Sequence, residues 1–87
     1  MSKYSPLQGY LAGLPSSQQE ITLTFERIEE IIASKLPKSA FQHRAWWSNE
    51  KDGEHVQAHS WLNAGWEVET MNQSQFWVRF IHKNIGA

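Results

Sequence analysis

The absence of cysteine is the feature that most limits how this chain can fold. A chain of 87 residues buries only about 60–65% of the surface that its unfolded form exposes, and no disulfide or zinc–thiolate site can add to that. The five tryptophans, four phenylalanines and two tyrosines must supply the stability, since each buried aromatic side chain removes roughly 150–250 Å² from water. We therefore expect one aromatic-rich domain over residues 1–87, with an ordered core at 4–83.

Composition and hydropathy predict a cytoplasmic domain that does not enter a membrane. The lack of cysteine suits a reducing compartment. No apolar run approaches the roughly 20 residues of a membrane span, and the N-terminal segment lacks the apolar stretch of a signal peptide. A net charge of −1 gives no overall attraction to nucleic acid or to an anionic membrane.

Capping residues and hydrophobic periodicity predict the order of the secondary-structure elements. Ser5 is the expected N-cap of the first helix, with Gln8 completing a capping box. Thr24 is the expected N-cap of a second helix, directly after a short alternating strand. The predicted elements are a helix from residue 5 to about 13, a strand at 20–24, helices at 25–36, 38–47 and 54–64, and a β-hairpin with strands at 66–70 and 76–81.

This order indicates an α+β fold, a small helical domain with a C-terminal β-hairpin. Helix, short strand, helix, turn, helix and a two-stranded wing is the order of a winged helix-turn-helix domain. The chain fits that order apart from one additional helix. The alternative is a plain α+β domain in which the hairpin merely covers the helices.

The segment RAWWSN, residues 44–49, places two tryptophans side by side. Adjacent residues point about 100° apart on a helix, so both cannot enter one core from one regular element. On a wheel of the predicted helix 38–47, Trp47 shares a side with Ala40, whereas Trp46 lies with Gln42 and His43 on the polar side. We therefore expect Trp47 in the core and Trp46 at a contact surface.

Several segments together resemble a family of small uncharacterised domains in bacterial and phage proteins. The segments are LTFERIEEII at 23–32, LPKSA at 36–40, RAWWSN at 44–49 and AHSWLNAGWEV at 58–68. They extend over most of the chain. The resemblance implies a compact module and assigns no catalytic residue.

The distribution of basic residues favours a nucleic-acid-binding, winged-helix-like domain that is not an enzyme. Residues 35–47 hold several basic side chains and no acid. Such side chains contact base edges or phosphates, and an exposed tryptophan can stack on a base. The predicted binding residues are Lys35, Lys38, Gln42, His43, Arg44, Trp46, Lys51 and Arg79.

The alternative is a protein-interaction module, because an exposed tryptophan beside arginine is typical of interface hot spots. A phage or mobile-element inhibitor of a host protein, or a small homodimer, has this composition. Convergence of Lys38, Arg44 and Arg79 on one face favours nucleic acid, and an apolar patch centred on a tryptophan favours protein. The sequence gives little support for catalysis or for metal binding. No nucleophile motif or glycine-rich phosphate loop occurs, and His55 with His59 lacks a clear third metal ligand, so we expect no enzyme activity, cofactor or metal.

Overall fold

Helices cover one face of a three-stranded antiparallel sheet in the computed structural model, which describes residues 2–50 and 56–83. The elements are α1 (Ser5–Ala12), β1 (Glu20–Thr24), α2 (Phe25–Ile32), α3 (Lys38–Gln42), a 3₁₀ helix (Arg44–Trp47), α4 (Val56–Leu62), β2 (Trp66–Asn72) and β3 (Trp77–His82). The predicted α+β class and the C-terminal hairpin are confirmed.

The third strand, β3, lies in the centre of the sheet, in the order β1-β3-β2, and both its neighbours are antiparallel to it. Val78 and Phe80 of β3 are fully buried under the helices. Because successive side chains of a strand point to opposite faces, Arg79 lies on the outer face of the sheet, opposite Thr22 of β1.

A column of four aromatic rings connects the helices to the sheet. The ring of Phe25 stacks on Trp47 at 5.0 Å between centroids, Trp47 stacks on Trp61 at 5.9 Å, and Trp61 meets Phe80 at 5.6 Å. These residues come from α2, the 3₁₀ helix, α4 and β3, and none is more than 2% exposed. The predicted core position of Trp47 is therefore confirmed.

The buried indoles also satisfy their N–H groups. Trp47 Nε1 donates to the carbonyl oxygen of Ala40 at 2.8 Å, and Trp66 Nε1 donates to that of Leu11 at 3.1 Å. Each of these bonds fixes a second element, α3 or α1, against the aromatic core. A buried indole without a partner would cost about 1–3 kcal/mol, so these bonds restrict where α1 and α3 can lie.

The side chain of Asn49 joins the core to the edge of the sheet. Asn49 Oδ1 accepts from Trp61 Nε1 at 2.9 Å and from the Val68 amide at 2.8 Å, while its Nδ2 donates to the Val68 carbonyl oxygen at 2.9 Å. The last two bonds are those that a neighbouring strand would make. Asn49 therefore occupies part of the free edge of β2, next to a register shift between Val68 and Thr70.

Capping follows the prediction at α2 but not at α1. Thr24 Oγ1 accepts a hydrogen bond from the Arg27 amide at 3.0 Å, as predicted. The predicted capping box of Ser5 and Gln8 is wrong, because the N-cap of α1 is Tyr4 and no side chain caps it.

The predicted continuous helix over 38–47 is also wrong. It ends at Gln42, His43 is extended with φ −123° and ψ 120°, and a 3₁₀ helix follows. In one α-helix, Ala40 and Trp47 would share a face but lie about 10 Å apart along the axis. The break at His43 brings the Trp47 indole within hydrogen-bonding distance of the Ala40 carbonyl oxygen.

Replacement of Asn49 by alanine tests its structural role. The variant loses three hydrogen bonds and leaves the Trp61 indole without its acceptor, so we expect the free energy of unfolding to fall by about 2 kcal/mol. Ser48→Ala is the matched control, since Ser48 Oγ is buried without a hydrogen-bond partner among the described residues. Urea denaturation measures both; equal losses in the two variants would contradict the assignment.

Candidate binding surfaces

Arg79 is occupied by contacts within the outer face of the sheet. Its Nε donates to Thr22 Oγ1 at 3.3 Å, one terminal nitrogen lies 3.7 Å from Glu69 Oε1, and the guanidinium lies 5.7 Å from the centre of the Trp77 ring. The side chain is 39% exposed. Its charge is therefore partly compensated by Glu69.

The other predicted basic residues lie on the helical side of the sheet. Lys38, His43 and Arg44 are exposed on α3, at the break and at the start of the 3₁₀ helix, as is Gln42. Lys35 is also exposed, and Lys51 lies outside the described residues. Because α3 and the 3₁₀ helix pack on the face opposite the Arg79 side chain, the structure does not bring Lys38, Arg44 and Arg79 together.

Trp46 is half-buried between two other aromatic residues. Its ring meets the edge of Tyr4 at 5.8 Å and that of Trp47 at 4.6 Å, and its carbonyl oxygen accepts from Gln57 Nε2 at 3.0 Å. Burial raises the pKa of the Tyr4 phenol above its ordinary value of 10.0. Tyr4 is therefore neutral at physiological pH. Because burial disfavours the ionised phenol, its ionisation weakens the fold only at a pH above 10.0.

The turn between β2 and β3 includes Phe76, which the sequence pattern predicts to lie in the second strand of the hairpin. Asn72 Oδ1 accepts from the amides of Ser74 and Gln75 at 3.0 and 2.9 Å, which extends the turn to residue 76. Phe76 ends the turn with a positive φ of 62°. Its carbonyl oxygen accepts from the Phe25 amide at 2.9 Å, and its side chain remains exposed, with 52% of the residue accessible.

Three phenylalanine rings form the wall of an open cleft beside this turn. Phe25 meets Phe41 at 5.2 Å and Phe76 at 6.1 Å, and Phe41 meets Phe76 at 5.9 Å, all edge to face. We call this the Phe76 cleft, and its volume is about 430 Å³. The residues that line it are Thr24, Phe25, Glu26, Glu29, Phe41, Gln75 and Phe76.

The charged groups that line the Phe76 cleft are both carboxylates. Glu29 Oε2 accepts from the Leu36 amide at 2.9 Å, and Lys35 Nζ lies 3.9 Å from Glu29 Oε1. The Lys35 side chain is 92% exposed, so solvent screens this pair strongly. Glu26 is exposed and makes no ion pair with any residue that the structure describes. The cleft is therefore apolar in its wall and negative at its rim.

A second cleft, of about 460 Å³, lies on the other side of the same carboxylates. It shares Glu26 and Glu29 with the Phe76 cleft and adds Glu30 and Lys35 among its charged residues. Arg27 lies 3.2 Å from Glu30, so the Glu30 carboxylate is already paired. Positive and negative charges are therefore mixed in the second cleft, unlike in the Phe76 cleft.

Within residues 2–50 and 56–83, no three histidine, aspartate or glutamate side chains form a group that could hold a metal ion. His55, half of the histidine pair considered above, lies outside these ranges. None of the helices in the described ranges is long and apolar enough to cross a membrane.

A family model described as a domain of unknown function, DUF7662, matches residues 4–82. The chain belongs to the DUF7662 family. The match begins at Tyr4, the N-cap of α1, and ends at His82, the last residue of β3, so the family unit spans every element described above. No curated protein and no solved structure matches the chain.

Alanine at each of the two adjacent tryptophans separates their contributions. Trp47→Ala removes the middle of the aromatic column and should cost about 3–5 kcal/mol of unfolding free energy. Trp46→Ala removes a half-buried ring and should cost about 1–2 kcal/mol. Thermal unfolding followed by circular dichroism measures both; a larger loss for Trp46→Ala would reverse the assignment.

Proposed function

We propose that the chain is a protein-interaction module that binds a segment of a partner polypeptide in the Phe76 cleft. The observation that carries this proposal is the state of Phe76, half exposed on a left-handed backbone. For residues other than glycine, the left-handed backbone conformation costs about 1–2 kcal/mol. An exposed ring recovers little of this cost by burial, whereas a partner that covers the ring would recover it.

Shape and composition also suit a polypeptide partner. Aromatic side chains are enriched at the centres of protein interfaces, where a few of them carry most of the binding energy. Small-molecule pockets, by contrast, enclose most of the surface of their ligand. The Phe76 cleft is open to solvent, which favours a side chain presented from a larger surface.

Nucleic-acid binding by a winged-helix-like arrangement stays a prediction, and the charges favour it less. The helix predicted over 38–47 is interrupted at His43. Lys38 and Arg44 lie on the other side of the sheet from Arg79. Carboxylates at the Phe76 cleft would repel a phosphate backbone.

A titration with mixed duplex DNA at two salt concentrations separates the two functions. Tryptophan fluorescence reports binding, because Trp46 is partly accessible and lies in the same 3₁₀ helix as Arg44. We expect the DNA to cause no salt-dependent change in tryptophan fluorescence. Binding that falls steeply as salt increases would signal phosphate contacts and favour the nucleic-acid function instead.

Replacement of Phe76 by asparagine separates binding from stability. Asparagine tolerates the left-handed conformation better than phenylalanine does, so loss of the ring should change the free energy of unfolding by no more than about 1 kcal/mol. The same variant should lose binding of any peptide that selection against the wild-type chain yields. Urea denaturation and fluorescence anisotropy make the two measurements.

The matched control is Ala33→Gly, at another residue with positive φ, 54°, at the C-terminal end of α2. Glycine should stabilise the chain there by up to about 1 kcal/mol while binding stays unchanged. Two results would contradict the proposal: a loss of several kcal/mol in Phe76→Asn, which would make the ring part of the core, or undiminished peptide binding by that variant.

A further inference from the structure

We propose that the partner segment in the Phe76 cleft is cationic, with one large apolar side chain flanked by lysine or arginine. This inference rests on the proposed function and names the chemistry of the partner. Charge complementarity between the rim of the cleft and the segment supports it. The two charged residues that line the cleft, Glu26 and Glu29, are both acidic.

The apolar anchor follows from the wall of the cleft. The rings of Phe25, Phe41 and Phe76 meet edge to face within 6.1 Å of one another. A volume of about 430 Å³ is at the lower end of the roughly 300–1,000 Å³ found for ligand clefts. This space admits one leucine, methionine or aromatic side chain against Phe76, together with part of the residues that flank it in the segment.

The position of the cation follows from the spacing of the carboxylates. Glu26 and Glu29 are three residues apart on α2 and therefore lie on neighbouring positions of its surface. Phe25, whose ring contributes to the cleft wall, is adjacent to Glu26 in the chain. A lysine or arginine within one or two residues of the anchor can therefore reach a carboxylate while the anchor occupies the cleft.

The existing ion pairs leave this negative charge available to a partner. Glu26 has no ion pair with a described residue. The pair of Glu29 with Lys35 is long, at 3.9 Å, and its cation is exposed to solvent, although the Glu29 side chain itself is only 18% exposed. Lys35 lines the second cleft but not the Phe76 cleft. A cation is therefore favoured at the Phe76 cleft more than at its neighbour.

The experiment begins with a random peptide library displayed against the complete chain, with no bias in charge. Selected peptides are synthesised and their affinities measured by fluorescence anisotropy at low and high salt. We expect an excess of lysine and arginine beside a large apolar residue, and affinities that fall as salt increases. Replacement of the peptide arginine by citrulline, which keeps the shape and removes the charge, should weaken binding.

Two variants of the chain form a matched pair. Glu26→Gln removes the rim charge that pairs with no described residue and should weaken peptide binding by about two- to fivefold. Glu30→Gln removes a carboxylate that is already paired with Arg27 and lies outside the Phe76 cleft, so affinity should change little. Both side chains are exposed, and urea denaturation confirms that each variant is folded.

The outcomes distinguish this inference from the proposed function. Selection of cationic peptides supports both the inference and the proposed function if their binding is lost in Phe76→Asn and weakened in Glu26→Gln, but unchanged in Glu30→Gln. Peptides that require Phe76 but show no excess of cations and no response to Glu26→Gln overturn the inference and leave the proposed function in place. Peptides that bind Phe76→Asn as tightly as the wild-type chain overturn both the inference and the proposed function. Dimerisation of the chain that Phe76→Asn abolishes would place a second copy in the cleft and overturn the cationic segment.

Discussion

Stability in this chain depends on the column of rings from Phe25 through Trp47 and Trp61 to Phe80. Its members come from three helical elements and the central strand, so every layer of the fold is fixed to it. Large rings bury much area per residue, which a short chain without disulfides requires. Indoles also carry a donor that must be satisfied when buried, and this second requirement fixes the backbone around them, through the Ala40 carbonyl oxygen for Trp47 and the side chain of Asn49 for Trp61.

Local signals in the sequence predicted the elements whose causes are local. The strand 20–24, the Thr24 cap and the hairpin depend on alternation and on a side chain bonding three residues away. The break at His43 depends instead on a bond from an indole to a carbonyl group seven residues earlier. A helical wheel placed Trp47 correctly in the core, but it could not show that a continuous helix would hold the indole too far from its acceptor.

The candidate site was harder to predict, because its geometry depends on one turn. Alternation assigned Phe76 to the second hairpin strand, whereas the Asn72 side chain extends the turn by bonding the amides of Ser74 and Gln75. The Asn-Gln-Ser sequence carried that signal, since asparagine often bonds amides two residues ahead. Trp46 was expected to be the exposed aromatic on the evidence of its own helix. Tyr4, from the start of α1, partly covers it, and no single-helix pattern contains that contact.

Phe25 belongs both to the core and to the proposed site, and this dual position determines how the cleft can bind. One face of its ring stacks on Trp47, while Phe41 and Phe76 approach it edge to face at the other end of the column. The base of the cleft is therefore held by the most buried part of the molecule. Of the three rings of the cleft, that of Phe76 is the exposed one, with about half of the residue accessible to solvent. A partner side chain that enters would need to order little beyond that single ring, and a site whose base is already fixed loses less entropy on binding.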